Sequence, residues 1–359
     1  MLKICLTGGP CGGKSTSISI LEQELTARGY RVFVVSETAT ELITGGITPS
    51  GLAFQEKIFS VQMAKEKAYE EAAAECGTDN TVILCDRGIM DQLAYITKEQ
   101  LLEIAKKYDL TESSIMANYD AVYHLVTAAN GTDCYTKANN PARYESAAEA
   151  IKKDNKTIAA WTGHPHLRVI DNSTGFDEKV QRLLDDVFHL LGEPAPSEIE
   201  RKFLVKKPSL NDLDNIEYIS KSDIFQTYLK TEDNIERRVR QRGTKEAGYT
   251  FYLTEKKELS PGTRVENEKK ITQGQYLNLL MEADTRKRPI FKERYCFLYK
   301  NQYFELDVYP FTFNEAILEI ELKDISQEVE LPDFIEIIRE VTDDPNYKNS
   351  SLASNFIIK

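Results

Sequence analysis

Short, continuously apolar runs alternate with helical segments over the first half of the chain. The runs lie at residues 2–7, 31–36, 81–85, 121–127 and 167–170, and segments between them, such as 14–28 and 54–75, have the apolar spacing of helices. Apolar strands separated by helices are typical of a parallel sheet that is covered on both faces. The pattern therefore predicts an α/β domain with a parallel five-stranded sheet and helices on both faces.

The pattern changes after the segment GEPAP at 192–196, which breaks the last helix and is typical of a linker. Beyond it, polar and apolar residues alternate at 198–202, 236–242, 250–256, 264–270, 303–309 and 317–322. Alternation with a period of two predicts β-strands, whose charged face either meets solvent or lines the interior of a barrel. We expect two domains, 1–193 and 194–359, the second a mainly antiparallel β-barrel with helices whose interior forms a tunnel.

Composition narrows the class of protein. Hydrophobic residues make up 41% of the chain and charged residues 28%, which is ordinary for a soluble globular protein. No apolar run reaches the roughly 18 residues of a membrane-spanning helix, and the N-terminal run does not resemble a secretory signal. The six cysteines show no CxxC spacing, which favours reduced thiols in a cytoplasmic protein. The net charge of −12 argues against duplex nucleic acid as a partner.

The segment after the first apolar run carries the most specific motif of the chain. It reads GGPCGGKS at 8–15 and matches GxxxxGK[ST] between a predicted strand and a predicted helix. In such a loop, backbone N–H groups surround phosphate oxygens, the lysine reaches the terminal phosphates and the hydroxyl ligates Mg²⁺. We expect Lys14 to be catalytic and Ser15 to hold the metal. The residues expected to bind ATP or GTP here are Gly8, Gly9, Pro10, Cys11, Gly12, Gly13, Lys14, Ser15 and Thr16.

Three further candidates lie where predicted strands end, at the sheet edge where ligands bind in open α/β sheets. Asp86 is expected to meet the metal or to act as a base near the transferred group, and Arg87 to contact phosphate. A helix N-cap with a surface arginine would explain the same two residues. Glu37 is either a catalytic contact to substrate or metal-bound water, or a plain loop carboxylate.

Two more segments are candidates for the nucleotide site. Arg143 lies in a polar helical segment after the fourth strand, where small-molecule kinases keep a catalytic lid, although an exposed helix arginine is an equal alternative. The segment DNSTGF at 171–176 follows the fifth strand. Its Asn172, Gly175 and Phe176 are placed to line a nucleobase, and an N-cap turn of the next helix explains the same residues.

The second half presents pairs of glutamates two residues apart on predicted strands. Because residues i and i+2 point to the same face of a strand, each pair places two carboxylates side by side, which is unfavourable without cations. A divalent ion, Mg²⁺ or Mn²⁺, is the natural occupant. The candidates for the metal side are Glu198, Glu200, Glu266, Glu268, Glu319 and Glu321.

Basic side chains alternate in the same way on neighbouring strands. Facing carboxylates across a closed barrel, they would hold a linear triphosphate while the metal bridges acid and phosphate. Any single pair is more simply a solvated strand face, but repetition over six segments favours an enclosed site. The candidates for triphosphate binding are Lys202, Arg238, Arg240, Lys256, Lys292 and Arg294, of which Lys202 and Arg294 are also catalytic candidates.

Residues 1–192 resemble the P-loop kinase branch grouped with AAA_28-type ATPases, which includes nicotinamide riboside kinase-like domains. The resemblance is carried by GGPCGGKST, Glu37, DRG at 86–88 and IDNSTGF. Residues 197–359 resemble the CYTH, or triphosphate tunnel metalloenzyme, family through EIERKF (198–203), RVRQR (238–242), TRVENE (263–268) and LEIEL (318–322). The two domains in this order resemble the translocation-defect proteins linked to TRPL channel trafficking and their bacterial relatives, which implies binding of GTP and phosphoinositide.

Three functions follow as alternatives. The first is an enzyme in which a P-loop NTPase using ATP or GTP is coupled to a tunnel hydrolase acting on tripolyphosphate or a related compound. The second is a small-molecule kinase whose CYTH half binds a phosphorylated substrate or regulator. The third is a nucleotide-switched protein whose tunnel recognises a phosphoinositide headgroup without turnover. The sequence favours the first, because both halves carry complete sets of phosphate-binding and metal-binding candidates.

Overall fold

The computed structural model forms two compact units, Met1–Asp185 and Asp186–Lys359, each described here by itself. The described residues are 1–47, 51–77, 80–131, 146–193, 199–209, 212–213, 215–231, 235–260, 263–312, 314–322 and 327–354, with only the backbone of 257–260 and 263–266. The predicted domain boundary after residue 193 adjoins residues 194–198, which lie outside these ranges. That boundary therefore stays a prediction.

Residues up to 190 form a parallel sheet with its helices. The strands are β1 (Leu2–Thr7), β2 (Arg31–Val35), β3 (Thr81–Asp86), β4 (Ala121–Leu125) and β5 (Leu167–Ile170). The helices are α1 (Lys14–Ala27), α2 (Thr38–Thr44), α3 (Gly51–Glu75), α4 (Lys98–Lys106), α5 (Glu112–Met116), α6 (Ala147–Trp161) and α7 (Phe176–Leu190), with a 3-10 turn at Ile89–Ala94. The strands pair in parallel in the order β2-β3-β1-β4-β5. The predicted parallel five-stranded sheet is confirmed.

The middle strands of this sheet are apolar because both of their faces are covered. All six residues of β3 are buried, as are residues 3–7 of β1. β1 lies between β3 and β4, so the chain leaves its carboxyl end at the point where the strand order reverses. Ligands of open α/β sheets bind at this point. The glycine-rich loop begins there, directly after Thr7.

The second unit is built on an antiparallel sheet. Its strands are β6 (Ile199–Lys206), β7 (Ile219–Tyr228), β8 (Ile235–Thr244), β9 (Gly248–Ser260), β10 (Thr263–Ile271), β11 (Ile290–Tyr299), β12 (Gln302–Val308), β13 (Glu315–Leu322) and β14 (Ile337–Glu340). Its helices are α8 (Gln273–Leu279) and α9 (Asn349–Ser354), with 3-10 turns at Leu280–Glu282 and Pro345–Tyr347. The strand order is β10-β9-β8-β7-β11-β12-β13-β6-β14. The predicted antiparallel fold is confirmed, although alternation alone did not locate β7 or the four-residue β14.

The two faces of the nine-stranded sheet differ in chemistry. One face of β6, β11, β12 and β13 packs into an apolar cluster that includes Phe203 and Phe297, and the same side of β8 packs against α8 through Val239. The opposite face carries the charged residues, because side chains alternate along each strand. Lys292 and Asp307 on this face are only 2% and 0% exposed. The middle of the charged face is therefore shielded from solvent, which is consistent with a tunnel fold.

Two expectations from composition concern thiols and membranes. In the described part of the chain, Cys5, Cys76, Cys85 and Cys296 are free thiols. Of the helices that the structure describes, none combines the length and the apolar character needed to cross a membrane.

Candidate functional site

The loop between β1 and α1 needs glycine where it approaches β4. Gly8 has a φ of +136°, and a Cβ there would lie 2.1 Å from the carbonyl oxygen of Leu125. A Cβ on Gly12 would lie 2.5 Å from the same oxygen. Neither distance is tolerable, so side chains at these positions would push the loop off the end of β4. The tight loop that the motif predicts is thus present.

Lys14 is the first residue of α1, directly after this loop. Its Nζ donates to the carbonyl oxygens of Gly8 and Gly9 at 3.1 and 3.0 Å. Burial, together with the positive charge of Arg87, lowers the pKa of Lys14. An anion beside the ammonium group would oppose both effects. The environment of Lys14 therefore favours a phosphate as ligand.

Ser15 and Asp86 meet at the carboxyl end of β3. The Ser15 Oγ donates to the Asp86 Oδ2 at 3.3 Å. The Asp86 Oδ1 is buried and accepts no hydrogen bond from the residues that the structure describes. Burial raises the pKa of Asp86, which shows that its negative charge is incompletely compensated. A hydroxyl and an unused carboxylate oxygen fit Mg²⁺, which takes few protein ligands and keeps water and phosphate oxygens in its shell.

Arg87 connects the loop to two acids. Its Nε donates to Glu37 at 2.5 Å, and its Nη1 donates to Asp91 at 3.0 Å and to the Gly8 carbonyl at 3.2 Å. Asp91 was missed by sequence reasoning, although its spacing of four residues from Arg87 was an available signal. Asp91 also accepts hydrogen bonds from two other buried side chains. Arg87 is thus anchored beside the loop, and its contact to phosphate stays a prediction.

The Glu37–Arg87 ion pair predicts a pH-dependent contribution to stability. Burial would raise the pKa of Glu37, but the charges of Arg87 and Lys14 outweigh burial and lower the pKa to about 2. A carboxylate with a lowered pKa in the folded state stabilises the protein above its usual value of 4.5 and loses this effect as the pH falls toward 2. We expect Glu37→Gln to lower the free energy of unfolding by about 1–3 kcal/mol at neutral pH, with a smaller deficit at acid pH.

Urea denaturation followed by the fluorescence of Trp161, the only tryptophan of the chain, measures this difference. Glu71→Gln is the matched control, because Glu71 pairs with Lys67 at 3.8 Å on the exposed surface of α3 and should contribute little. A deficit for Glu37→Gln that does not shrink at acid pH would contradict the assigned ion pair.

The predicted nucleobase segment begins α7 beside the loop. The ring of Phe176 packs against Gly13, where a Cβ would lie 2.5 Å from the ring Cε2, and Phe176 is 44% exposed. A Cβ on Gly175 would meet no described atom within 4 Å. An exposed aromatic ring next to open space suits a stacked base. Arg143, the lid candidate, lies outside the described residues.

Asn172 acts on the loop that follows β4. Its Nδ2 donates to the carbonyl oxygens of Thr127 and Asn130 at 2.8 and 2.7 Å. Its Oδ1 accepts from the Nζ of Lys179 at 2.7 Å. The amide is thus engaged with the protein, which gives Asn172 a positioning role, and its contact to a base stays a prediction.

In the second unit, β13 and β6 place candidate residues directly opposite each other. Glu319 pairs in register with Lys202, and Glu321 pairs with Glu200. The Lys202 Nζ lies 2.8 Å from Glu319 and 3.0 Å from Glu200. Burial would lower the pKa of Lys202, but these two carboxylates outweigh it and raise the pKa. Acid and base therefore meet between neighbouring strands, where we had expected contacts across the barrel.

Arg294 joins the acids of β12 and β13. Its Nε and Nη2 each donate to Asp307 at 2.7 Å, and Nη2 also donates to Glu319 at 2.9 Å. Its Nη1 donates to Glu305, and Lys292 donates to Asp307. Sequence reasoning gave Glu305 and Asp307 of the segment FELDV (304–308) no role in the site. The signal was present, because two acids two residues apart in FELDV repeat the pattern of the glutamate pairs.

Burial and neighbouring charges shift the pKa values of two residues on the charged face. Burial, reinforced by Arg294, lowers the pKa of Lys292 to about 8. Burial would raise the pKa of Glu319, but the charges of Lys202, Lys292 and Arg294 outweigh it and lower the pKa. The lowered pKa of Glu319 thus reflects the three cations around it, whereas the lowered pKa of Lys292 follows first from its burial.

The arginines of β8 extend the same face. Arg238, Arg240 and Arg242 alternate along the strand with residues of the opposite face. Arg238 and Arg242 are only 7% and 6% exposed. The Arg240 Nη1 lies 3.4 Å from Glu268, which also accepts from the hydroxyl of Thr254 at 2.8 Å. Arg238 and Arg242 are thus buried guanidinium groups on this face, and Arg240 between them is half-buried.

Lys256 lies in register with Glu236 of β8 and with Glu266 of β10. Alternation along β9 places Lys256 on the same face as Thr254. The side chain of Glu266 lies outside the described residues, so its predicted role as a metal ligand stays a prediction. The register nevertheless continues the alternation of acids and bases to the edge of the sheet.

Glu200 and Glu321 are the described residues that best fit a divalent metal in this unit. Carboxylates directly opposite each other on paired strands repel. Lys202, 3.0 Å from Glu200, relieves part of this repulsion, and a divalent ion would relieve more of it. The described side chains contain no group of three His, Cys, Asp or Glu residues that could hold a metal ion by themselves. Glu198, predicted as a further ligand, lies outside the described residues. Glu319 has its oxygens on Lys202 and Arg294.

Both units are similar to known protein families, and some solved structures resemble part of the chain. Among solved structures, the inorganic triphosphatase NE1496 is 31% identical over 44% of this chain and 95% of its own, with a TM-score of 0.32. The PH1012 protein from Pyrococcus horikoshii OT3 is 18% identical over 35% of this chain and 80% of its own, with a TM-score of 0.27. The family model of the AAA domain AAA_28 matches residues 3–179, and that of the CYTH domain matches residues 196–357. The chain therefore consists of an AAA_28-type AAA domain followed by a CYTH domain.

Proposed function

We propose that the AAA domain binds ATP or GTP with Mg²⁺, and that the CYTH domain binds and hydrolyses a linear triphosphate with Mg²⁺ or Mn²⁺. The observation that carries the second part is the set of buried cations on one face of the nine-stranded sheet. It comprises Lys202, Arg238, Arg242, Lys292 and Arg294, with the half-buried Arg240 beside them. Several of these cations already contact acids such as Glu319 and Asp307, and a chain of phosphates would offer them further charged acceptors in a line along the same face.

The charged face of the CYTH domain offers a triphosphate two kinds of contact. Guanidinium and ammonium groups donate hydrogen bonds to phosphate oxygens, and the planar fork of arginine suits two oxygens at once. Glu200 and Glu321 would hold the divalent metal, which when bound polarises a phosphoryl oxygen and activates water. The burial of Lys202 and Arg294 would strengthen their contacts to the phosphoryl group.

The loop of the AAA domain holds a nucleotide by different means. The N-terminus of α1 and the backbone N–H groups of the loop other than that of Gly9 would face the phosphates, and Lys14 adds a positive charge. Ser15 and Asp86 would hold Mg²⁺, which when bound neutralises charge on the terminal phosphates. Phe176 offers a surface for the base. The choice between ATP and GTP is left to experiment.

Phosphate transfer to a hydroxyl acceptor is a second candidate activity of the AAA domain. In this alternative Asp86 would accept the proton of the hydroxyl instead of holding Mg²⁺, because burial raises the pKa of this carboxyl and so improves it as a proton acceptor. Asp86 also lies within hydrogen-bond distance of Ser15 in the phosphate loop. A kinase would show nucleotide turnover that depends on an added hydroxyl compound.

Release of orthophosphate from tripolyphosphate, ATP and GTP, with Mg²⁺ or Mn²⁺, tests the proposal. We expect release from tripolyphosphate with at least one metal, and its loss on chelation. Glu319→Gln should lower this release about 10²-fold, because Glu319 orients both Lys202 and Arg294. Nucleotide hydrolysis should be unaffected by this change.

Glu330→Gln is the matched control, since Glu330 pairs with Lys300 at the exposed surface of the CYTH domain. Tripolyphosphate that binds but is not cleaved with either metal would refute hydrolysis and favour a binding protein. In that case a soluble phosphoinositide headgroup is the next ligand to compare by calorimetry. Unchanged cleavage in Glu319→Gln would place the reaction outside the charged face.

A further inference from the structure

A buried carboxylate lies directly behind the phosphate loop. Asp154 of α6 is 3% exposed, and its Oδ1 accepts from the backbone N–H of Gly9 at 2.6 Å and of Thr127 at 3.3 Å. The Nε2 of His124 lies 3.1 Å from the same oxygen. An acid so close to a loop for anions opposes phosphate binding by its charge. A favourable effect of Asp154 on the loop would have to outweigh this repulsion.

The peptide between Gly8 and Gly9 links Asp154 to the opposite side of the loop. In a planar trans peptide the C=O and the N–H point in opposite directions. The N–H of Gly9 points to Asp154, so the carbonyl of Gly8 points away from it. That carbonyl accepts from the Nζ of Lys14 at 3.1 Å and from the Nη1 of Arg87 at 3.2 Å. One peptide plane therefore connects the acid with two cations.

The plane of the Gly8–Gly9 peptide can rotate unless a contact fixes its orientation. A peptide plane flanked by two glycines rotates at low cost, since neither residue has a Cβ to restrict it. After rotation the Gly9 N–H would face Lys14 and Arg87, and the Gly8 carbonyl would face Asp154. Both contacts would be repulsive, because donors would meet cations and an acceptor would meet an acid. Asp154 thus favours one orientation of the plane.

We propose that Asp154 is a positioning residue of the nucleotide site, which locks the Gly8–Gly9 peptide so that the Gly8 carbonyl holds Lys14 and Arg87 for phosphate binding. The role rests on the proposed binding of a nucleotide by the AAA domain. It makes α6 part of the phosphate site through one hydrogen bond to the backbone, without any contact between Asp154 and the nucleotide.

The affinity of Asp154 variants for nucleotide tests this role in the full-length protein. Fluorescent analogues of ATP and GTP, with Mg²⁺, are titrated into wild type, Asp154→Ala and Asp154→Asn. Alanine removes the acceptor, and we expect the dissociation constant to rise about tenfold, as for loss of a charge-assisted hydrogen bond. Asparagine keeps an acceptor oxygen for the Gly9 N–H. We expect it to restore the affinity to within about threefold of wild type.

Thr157→Ala is the matched control on the same helix. Thr157 is 2% exposed, and its hydroxyl donates to the carbonyl of Lys153 within α6. We expect this variant to bind nucleotide like wild type. Thermal unfolding followed by Trp161 fluorescence shows whether each variant is folded at the temperature of the titration.

Equal affinity of Asp154→Ala and wild type would overturn the proposal. Equal weakening by alanine and asparagine would also overturn it, because the charge and not the acceptor would then matter. If Thr157→Ala weakens binding to the same extent, packing of α6 alone would explain the effect of replacing Asp154, and the positioning role would be wrong. Lys14→Ala separates this role from the nucleotide site itself. If Lys14→Ala leaves the affinity for nucleotide unchanged, the proposed nucleotide site is wrong. If Lys14→Ala weakens binding and Asp154→Ala does not, the nucleotide site stands and only the role of Asp154 is wrong.

Discussion

Replacing Arg294 with methionine will lower the free energy of unfolding of the CYTH domain by about 3–5 kcal/mol. Arg294 is 7% exposed and donates to three acids, Asp307, Glu305 and Glu319. Methionine fills similar volume but leaves these buried carboxylates short of a counter-charge, and removing one partner of a buried pair costs more than the pair itself contributes. Urea denaturation followed by far-UV circular dichroism measures the loss.

Arg201→Met is the matched control for Arg294→Met. Arg201 also forms a two-point contact with a carboxylate, Glu340, at 2.8 and 2.7 Å, but both side chains are partly exposed to solvent. We expect it to cost less than about 1 kcal/mol and to leave tripolyphosphate binding unchanged. Equal destabilisation by the two substitutions would show that burial does not increase the contribution of the Arg294 ion pairs to the free energy of unfolding.

Arg294→Lys refines the same test. Lysine keeps the positive charge but cannot reproduce the fork that contacts both oxygens of Asp307. We expect most of the stability to return and the affinity for tripolyphosphate to stay below that of wild type. Full recovery of affinity would mean that the site needs only a point charge at this position.

Replacing Lys14 with alanine will raise the dissociation constant for Mg-nucleotide at least about tenfold, and will lower nucleotide turnover by about 10²–10³. Lys14 is the ammonium group held by the carbonyls of the phosphate loop. It is positioned to follow charge as it develops on the transferred phosphoryl group. Nucleotide titration and orthophosphate release measure the two effects separately.

Lys65→Ala is the control for Lys14→Ala. Lys65 belongs to α3 and donates to Ser36 and Glu41 at the surface of the same domain. We expect no change in nucleotide affinity or turnover. Release of phosphate from tripolyphosphate should survive both substitutions, because the charged face of the CYTH domain is built from other residues. Nucleotide turnover that survives Lys14→Ala would remove the phosphate loop from the reaction.

Contiguous patterns in the sequence predicted much of the fold and one site. The five parallel strands were readable because strands buried on both faces are continuously apolar. The phosphate loop was readable because eight successive residues supply its backbone, its lysine and its hydroxyl. The alternation of charges on β6, β8 and β13 was readable because side chains repeat every two residues along a strand.

Other parts of the sites depend on residues far apart in the chain. Asp91 contacts Thr7 across 84 positions, and Asp154 contacts Gly9 across 145. No local pattern marks such an acid, because the reason for its burial is a partner on another element. Glu305 and Asp307 had a local signal, but their importance appears only where β11 and β12 pair and place Arg294 beside them.

The sequence by itself determined that this protein carries two different phosphate-binding devices, a glycine-rich loop on a parallel sheet and an alternating charged face on antiparallel strands. Local periodicity and contiguous motifs suffice for that, since backbone geometry fixes which neighbours share a face. The tertiary structure decided which charges meet. In the folded protein Lys202 forms an ion pair with Glu319, Arg294 donates to Asp307, and Asp154 lies behind the phosphate loop. Strand order and helix packing alone create these contacts, and burial then gives them their strength.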